Sequence, residues 1–357
     1  MKTTPLYGAG RFVMHRLREL KLYAGMRRPG LRMAVLPSTG REMSSLLRGY
    51  NVAEELAGRG WNTLVLPAQL EAVQRRRVLR RFRPDIALLL GSRHRDNSAA
   101  LLQGIPFLYD LDDADFHDPR LVERIRIDVR AAAGVIAGSA YVEAWCRELN
   151  PRTKVIWTGS PEPSGDFPPQ TARGPLVTWA QSAPFNYPAE LGFVTDVLCA
   201  LEAPAFTFRL YGCKPEHADH PAVERIRAQG VRVELMPFMP YADFLASLDE
   251  VAVGLSPVIP DSPFSRGKSF GKILAYLSAG VAIIASDEVD HGRFFRPATG
   301  VISNDPAVWT RETAALLADP ARREAMAQAA FSDFRDRLST RAACTQVETF
   351  AHEVLGR

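Results

Sequence analysis

The chain has few cysteines and no long apolar run, and both absences restrict what it can be. Its 357 residues include only four cysteines, Cys146, Cys199, Cys213 and Cys344, whose spacing fits neither a disulfide framework nor a metal site. No stretch approaches the roughly 18 apolar residues that a membrane-spanning helix needs. Residues 1–10 lack the pattern of a signal peptide. These absences predict a cytoplasmic protein.

Two common phosphate-binding fingerprints are also missing. The first predicted strand, residues 31–37, is not followed by G-x-G-x-x-G, so a dinucleotide site is not indicated. Gly267-Lys268-Ser269 resembles the end of a Walker motif, but that motif needs an earlier glycine where this chain has Ser262. A P-loop is therefore excluded.

The positive charge is concentrated in two stretches. Residues 1–30 hold seven Lys or Arg against one Glu, a balance of +6, so the rest of the chain carries −2 of the +4 total. This basic amphipathic arm and the arginine-rich stretch 75–83 predict a patch that binds an anionic membrane surface from the cytoplasmic side. The alternatives are an arm that packs on the first domain and an ordinary solvated helix. The body of the chain does not indicate nucleic-acid binding.

Predicted strands and helices alternate twice along the chain. This alternation predicts an α/β protein with two Rossmann-like parallel-sheet domains, at residues 31–165 and 173–335. A proline-rich linker at 159–175 separates them. The basic arm at 1–30 precedes the first domain, and residues 336–357 follow the second as a terminal helix.

The stretch SRGKSFGKILAYLSAGVAIIAS, residues 265–286, predicts a helix followed by a buried strand. Lys268 and Ser269 fall in the first turn of this helix, and Lys272 follows one turn later. A helix N-terminus offers unpaired N–H groups and the positive end of the dipole. The pattern therefore predicts a phosphate or diphosphate site, with a solvated helix start as the alternative.

This stretch, with the ATGVISNDPAVWTRETAALLADPARREAMAQAA that follows, resembles the nucleotide-sugar segment of GT-B glycosyltransferases of the retaining group 4 type (glycosyl transferases group 1). The resemblance implies two domains that face each other across a cleft, and a C-terminal helix, residues 336–357, that crosses back onto the first domain, with a frayed tail as the alternative. It also implies transfer of a sugar from a nucleotide-diphosphate-sugar donor to a glycan, lipid-linked or protein acceptor, without a metal or other cofactor. Gly267 and Ala275 stand where the family usually has acidic residues.

Positions just after strand ends, together with the resemblance, assign donor and acceptor residues. The acceptor side combines the loop after the first strand with two arginines that follow the third: Ser38, Thr39, Gly40, Arg93 and Arg95. The donor would be held by the backbone near Phe238 and by the charged segment at 268: Gly212, Phe238, Lys268, Ser269 and Lys272. Lys268 would also stabilise the charge that develops on the leaving diphosphate.

An acidic cluster follows the predicted strand at 105–111. Asp110 and Asp112 are candidate catalytic carboxylates, because the resemblance places the first of them toward the cleft. Helix capping is the alternative for Asp112 and Asp113. The Asp-x-Asp spacing also suits Mn²⁺ in glycosyltransferases of the GT-A fold. That alternative does not explain a second Rossmann-like half with its own phosphate site.

Two further functions compete with sugar transfer. Because Gly267 and Ala275 replace acidic residues, the chain could be a non-catalytic GT-B scaffold that binds a nucleotide sugar or a partner enzyme. A nucleotide-sugar epimerase of the same fold is the other alternative. Donor hydrolysis and donor interconversion distinguish the three.

Overall fold

A computed structural model of the chain describes residues 22, 26, 29–41, 44–91, 93–163, 165–202, 205–260, 263–268 and 271–357, with only the backbone of Lys272. The chain divides into two compact units: unit 1 is Met1–Gly159 with Thr340–Arg357, and unit 2 is Ser160–Ser339. Nearly all of the predicted arm at 1–30 lies outside the described residues. Within the described part of the chain, no helix is both long and apolar enough to cross a membrane.

Unit 1 is built on a six-stranded parallel sheet in the order β2-β1-β3-β4-β5-β6. The strands are β1 (Arg32–Leu36), β2 (Asn62–Val65), β3 (Ile86–Leu90), β4 (Phe107–Leu111), β5 (Gly134–Ala137) and β6 (Thr153–Val155). Every residue of β3, β4 and β5 is buried. Burial on both faces explains why these strands appear in the sequence as nearly continuous apolar runs.

Helices cover this sheet. A π-helical segment, Ser45–Tyr50, leads directly into α1 (Asn51–Gly58). The others are α2 (Ala72–Phe82), α3 (Val122–Ala131), α4 (Ala140–Arg147) and the C-terminal helix Thr340–Leu355.

The C-terminal helix completes the core of unit 1. Cys344, Val347 and Phe350 are buried in one cluster with apolar residues of α1 and of the central strands. A side chain at Gly134 of β5 would stand only 2.5 Å from the Phe350 ring. The helix is thus a close-packed part of this core and not an appended tail.

Unit 2 repeats the architecture with the order β12-β11-β10-β7-β8-β9. Its strands are β7 (Leu176–Trp179), β8 (Thr207–Leu210), β9 (Arg232–Leu235), β10 (Val253–Ser256), β11 (Ala282–Ala285) and β12 (Val301–Ile302). Its helices are α5 (Pro188–Cys199), α6 (Pro221–Arg227), α7 (Tyr241–Ser247), α8 (Pro263–Arg266), α9 (Gly271–Ser278), α10 (His291–Phe294), α11 (Pro306–Ala318) and α12 (Pro320–Arg337). The predicted α/β class with two Rossmann-like parallel sheets is confirmed.

The prediction that Lys268 lies in the first turn of the helix within residues 265–286 is wrong. Helix α8 ends at Arg266, and Lys268 follows in a non-helical segment that precedes α9, Gly271–Ser278. Gly267 lies in a turn whose N–H donates to the Phe264 carbonyl at 3.1 Å. Glycine inside a helix costs about 1 kcal/mol relative to alanine, so a break here is inexpensive. Lys268 therefore lies between two helices, not in the first turn of one.

Unit 1 also buries a carboxylate whose charge is incompletely compensated. Asp128 of α3 is 1% exposed. Its Oδ1 accepts a hydrogen bond from the Ala99 N–H at 2.7 Å, whereas its Oδ2 has no partner within the described residues. Burial raises the pKa of Asp128 to about 6, against the effects of the Ala99 N–H and of Arg124.

This raised pKa predicts a stability that falls with rising pH. Between about pH 4 and 6 the folded protein binds a proton that the unfolded chain has released, so the free energy of unfolding decreases as the pH increases. Asp128→Asn keeps the acceptor for Ala99 and removes the titration. We expect this variant to be more stable than the parent at pH 7, with the difference shrinking toward pH 5. Urea denaturation across that range tests this, and parallel pH profiles for the two proteins would contradict it.

Candidate functional site

A pocket of about 270 Å³ opens at the carboxyl ends of β7 and β8 in unit 2. Its wall is formed by the loops that follow these strands, with one residue from beyond β9. The lining residues are Ser182, Ala183, Phe185, Asn186, Gly212, Cys213, Lys214, His217 and Phe238. Open parallel sheets bind their ligands at this edge, so the pocket is the candidate ligand site of unit 2.

Gly212 brings two of these loops together. Its φ is +73°, and a Cβ at this position would stand 2.3 Å from the Ser182 carbonyl oxygen and 2.4 Å from that of Gln181. Real contacts are never so short, so any other residue here would push the loop after β8 away from the loop after β7. Glycine therefore shapes the pocket through its backbone conformation and its lack of a side chain.

Gly212→Ala is expected to destabilise the protein and to reduce ligand binding in this pocket. Gly230→Ala is the matched control, because Gly230 also has a positive φ, +78°, but a Cβ there meets nothing within 4 Å. The control carries only the conformational strain of about 1–2 kcal/mol, whereas Gly212→Ala adds an overpacking cost of about 1–3 kcal/mol. Urea denaturation of both variants measures the difference. Equal losses would mean that the close approach of the two loops is unimportant.

The pocket combines aromatic walls with polar groups. The Phe185 ring lies 3.9 Å from the His217 ring and 4.7 Å from the His220 ring, measured between centroids. His217 is fixed by its Nδ1, which accepts the Lys214 N–H at 3.0 Å. Phe238 is 67% exposed, which is unusual for a large apolar side chain. Such walls suit a flat ring, and the nearby polar atoms can fix its orientation.

Lys268 lies beside this pocket, at the point where the strand order of the sheet reverses. Strands β7 and β10 are neighbours there, and the following strands continue in opposite directions. Lys268 Nζ is 3.8 Å from Oε1 of Glu190 and 4.3 Å from the centre of the Tyr187 ring. Tyr187 directly follows Asn186 of the pocket lining. The cation is therefore close to the pocket wall, at the usual ligand position of doubly wound sheets.

Tyr276 of α9 connects the two strands at this position. Its buried hydroxyl accepts the Ala180 N–H at 2.6 Å and lies 3.2 Å from the Leu255 carbonyl, to which it can donate. Burial raises the pKa of Tyr276, so the hydroxyl keeps its proton. The preceding Ala275 is itself 1% exposed. This helix thus fixes the start of the loop that carries the pocket residues.

In unit 1, the carboxyl edge of the sheet holds a buried ion-pair network. Arg48, from the π-helical segment, donates to both oxygens of Asp110, with Nε at 3.1 and 2.9 Å. Its Nη1 donates to Thr158 Oγ1 at 2.9 Å and to the Ile156 carbonyl at 3.1 Å. Asp112 Oδ1 is 3.4 Å from the same Nη1 and accepts from Thr158.

This network contains both carboxylates that the sequence predicts to be catalytic, Asp110 and Asp112. Burial raises the pKa of Asp110, and the Arg48 guanidinium counteracts that rise. Burial alone would lower the pKa of Arg48, but the neighbouring carboxylates outweigh it, so the guanidinium stays charged. Asp110 is 4% exposed, and both of its carboxylate oxygens accept hydrogen bonds from Arg48. This arrangement is typical of an ion pair that stabilises the fold rather than of an acid or base that is open to a substrate. Catalysis by Asp110 and Asp112 stays a prediction.

The loop predicted to line the acceptor side begins at this edge. Ser38 Oγ is 3.1 Å from Ser45 Oγ, which also accepts the Thr39 N–H at 3.1 Å. Gly40 has open space around its Cα, since a Cβ there would meet nothing within 4 Å. The three predicted residues are adjacent to the π-helical segment that carries Arg48.

The two predicted acceptor arginines differ in their surroundings. Arg93 forms a bidentate pair with Asp115, at 2.6 and 3.1 Å, and lies 3.9 Å from Asp113. Arg95 is 78% exposed along its side chain, with Nε 3.6 Å from Asp96. Arg93 is thus already paired with a carboxylate, whereas Arg95 extends toward solvent.

The arginine-rich helix α2 is not uniformly exposed. Arg75 is 0% exposed and donates to the Leu70 carbonyl at 2.8 Å, and burial lowers its pKa to about 10. Including it in a membrane-binding patch was therefore wrong. The remaining arginines of the stretch are exposed: Arg76, Arg77, Arg80, Arg81 and Arg83.

Sequence comparison finds a family similarity that covers most of unit 2 and the start of the C-terminal helix. Residues 195–349 match the family model described as "Glycosyl transferase-like". This match includes the loops after β8 and β9 and the segment around Lys268. This part of the chain is therefore similar to glycosyl transferases. No curated protein matches the chain by sequence.

Solved structures show that the chain has the GT-B glycosyltransferase fold. Sucrose-phosphate synthase from Thermosynechococcus elongatus superposes with a TM-score of 0.67 at 14% identity, over 91% of this chain and 99% of that one. A glycosyltransferase from Rickettsia africae gives 0.65 at 11%, over 91% and 99%. HepE of Anabaena, in complex with UDP, gives 0.63 at 13%, over 90% and 100%.

In unit 2, the structure brings together part of the predicted donor site. Gly212 and Phe238 line one pocket, and Lys268 lies beside it. Ser269 lies outside the described residues, and for Lys272 only the backbone, within α9, is described. The sequence did not indicate Glu190, which lies in α5. It also did not single out the pocket residues Phe185, Asn186, Lys214 and His217, whose only signal is their position in segments that follow strands.

Proposed function

We propose that this chain, a glycosyltransferase by family and fold, transfers a sugar from a nucleotide-diphosphate-sugar donor to a glycan, lipid-linked or protein acceptor. The observation that carries the proposal is the pocket at the carboxyl ends of β7 and β8 with Lys268 beside it. The nucleoside would occupy the aromatic pocket and the diphosphate would meet Lys268. Solved HepE structures contain UDP and UDP-glucose, which supports a donor of this class.

The reaction requires stabilisation of a leaving group. The bond from the anomeric carbon to the diphosphate breaks, a bond to an acceptor hydroxyl oxygen forms, and the hydroxyl releases its proton. Negative charge grows on the diphosphate as it leaves. A fixed ammonium group such as that of Lys268 lowers the energy of this state, and preorganised charge of this kind is usually the largest catalytic contribution.

A nucleotide panel with a donor-hydrolysis assay tests the proposal. We expect one of UDP, GDP, ADP and CDP to raise the melting temperature, and the matching sugar nucleotide to be hydrolysed slowly without acceptor. Binding without any turnover would instead favour the scaffold alternative, which rests on Gly267 and Ala275. Interconversion of the free donor would favour an epimerase. No stabilisation by any of the four nucleotides would contradict the proposed donor class.

We further propose that unit 1 attaches to an anionic membrane surface. The exposed arginines of α2 supply positive charge on one helix, and the basic arm at 1–30 would add to it. Each basic residue near such a surface contributes about 1 kcal/mol at low salt. Attachment would hold the acceptor side close to lipid-linked substrates at the cytoplasmic face.

Co-sedimentation with vesicles tests this attachment. We expect binding to vesicles that contain phosphatidylserine, loss of binding in high salt, and weaker binding after Arg76→Gln with Arg80→Gln. The same substitution at Arg232, an exposed arginine of unit 2, is the control. Removal of residues 1–30 should weaken binding further. Equal sedimentation of parent and variants, or no binding to anionic vesicles at low salt, would leave these arginines as solvated surface.

A further inference from the structure

Glu190 is a charged residue that the sequence reasoning did not assign to the site. It lies in the first turn of α5, directly after the pocket loop, and is only 3% exposed. Its Oε1 is 3.8 Å from Lys268 Nζ and 3.5 Å from the N–H of Ile259 in the segment after β10. One carboxylate therefore links three segments at the reversal point of the sheet.

A buried carboxylate is costly unless it is compensated. Here the positive end of the α5 dipole, the Ile259 N–H and the Lys268 ammonium compensate it. Lys268 itself comes from the short segment between α8 and α9, where its backbone N–H donates to the Ser265 carbonyl at 3.4 Å. The ammonium group at the end of its side chain is positioned by Glu190 and by the Tyr187 ring.

We propose that Glu190 is a positioning residue, which fixes the Lys268 ammonium so that it binds the diphosphate of a nucleotide donor. The inference rests on the proposed function, because it assumes that Lys268 meets this diphosphate. An ammonium group has three N–H donors. One can face Glu190 while the others bind phosphate oxygens, so the ion pair and the ligand need not compete. Glu190 acts through Lys268 and does not touch the ligand.

A double-mutant cycle tests the proposal. Glu190→Gln keeps the size of the side chain and an oxygen that can accept from Ile259, but it removes the charge that holds Lys268. Titration calorimetry would measure the affinity for whichever of UDP, GDP, ADP and CDP the parent binds most tightly, and for the corresponding nucleoside. The four proteins are the parent, Glu190→Gln, Lys268→Ala and the double variant.

We expect Glu190→Gln to weaken diphosphate binding about tenfold in the parent and less than about twofold when Lys268 is already alanine, because coupled residues are not additive. Nucleoside affinity should not change. A general defect in folding would instead lower both affinities in both backgrounds. If Glu190→Gln does not fold, Glu190→Asp replaces it, because aspartate keeps the negative charge but places it further from Lys268. We expect Glu190→Asp to weaken diphosphate binding less than tenfold, and only when Lys268 is present.

The outcomes separate the two proposals. Equal losses in both backgrounds, unchanged affinity, or tighter binding by Glu190→Gln would overturn the positioning role and leave the donor class intact. If the parent binds none of the four nucleotides, the proposed function fails, and the role of Glu190 fails with it.

Discussion

Replacing Arg48 with methionine is expected to lower the free energy of unfolding by about 3–5 kcal/mol, because Asp110 would remain as an unpaired buried carboxylate. Both side chains of the pair are 5% exposed. The loss should shrink at acidic pH. Without Arg48, which counteracts the effect of burial, the pKa of Asp110 rises further and the carboxylate is neutralised by protonation. Urea denaturation at pH 5 and pH 7 measures both effects.

Two controls make this prediction specific. Arg225 forms an ion pair with Asp196 in which both side chains are more than half exposed, so Arg225→Met should cost less than about 1 kcal/mol. Combining Arg48→Met with Asp110→Leu should recover much of the lost stability, because apolar residues often replace a buried ion pair without loss. Similar losses of unfolding free energy for Arg48→Met and Arg225→Met would contradict a special contribution of the buried ion pair to the stability of unit 1.

Lys268→Ala is expected to weaken nucleoside diphosphate binding by about 1.5–3 kcal/mol, the range for hydrogen bonds to a charged group, which corresponds to roughly 10- to 150-fold in the dissociation constant. The nucleoside alone should bind with unchanged affinity, since the aromatic pocket is left intact. Titration calorimetry of both ligands separates these contributions.

Lys154→Ala is the control for the general loss of a positive charge, since Lys154 pairs with Glu353 within unit 1 and is not among the residues that line the pocket. Its nucleotide affinity should equal that of the parent. A Lys268→Ala protein that keeps its melting temperature and its diphosphate affinity would remove Lys268 from the donor site. The cation would then serve only to compensate Glu190.

Most of the fold could be predicted because its central strands are buried on both faces. IALLL in β3 and AIIA in β11 are apolar at every position, and runs this short between turn residues are typical of strands that are buried on both faces. The break between α8 and α9 could not be predicted in the same way. The apolar spacing of Phe270, Ile273, Leu274 and Leu277 predicts a helix, but it does not fix the residue at which that helix begins.

Candidate site residues could be predicted only where one continuous segment of the sequence contains a recognisable pattern. Gly212, Phe238 and Lys268 followed from a family resemblance in segments that continue from strands. Glu190 gave no signal, since its partner Lys268 lies 78 positions further along the chain and the pair forms only when the sheet closes. The Arg48–Asp110 pair, separated by 62 positions, is equally invisible to local patterns.

The return of the C-terminal helix to unit 1 has a consequence for the order of synthesis. Unit 2 is a continuous segment, Ser160–Ser339, whereas unit 1 needs the chain on both sides of it. During translation, the surface of unit 1 that receives Val347 and Phe350 stays uncovered until the ribosome has finished unit 2 and the last helix has emerged. The first-made unit is therefore the last to be completed, and a nascent chain that ends before Thr340 exposes the apolar surface that chaperones recognise.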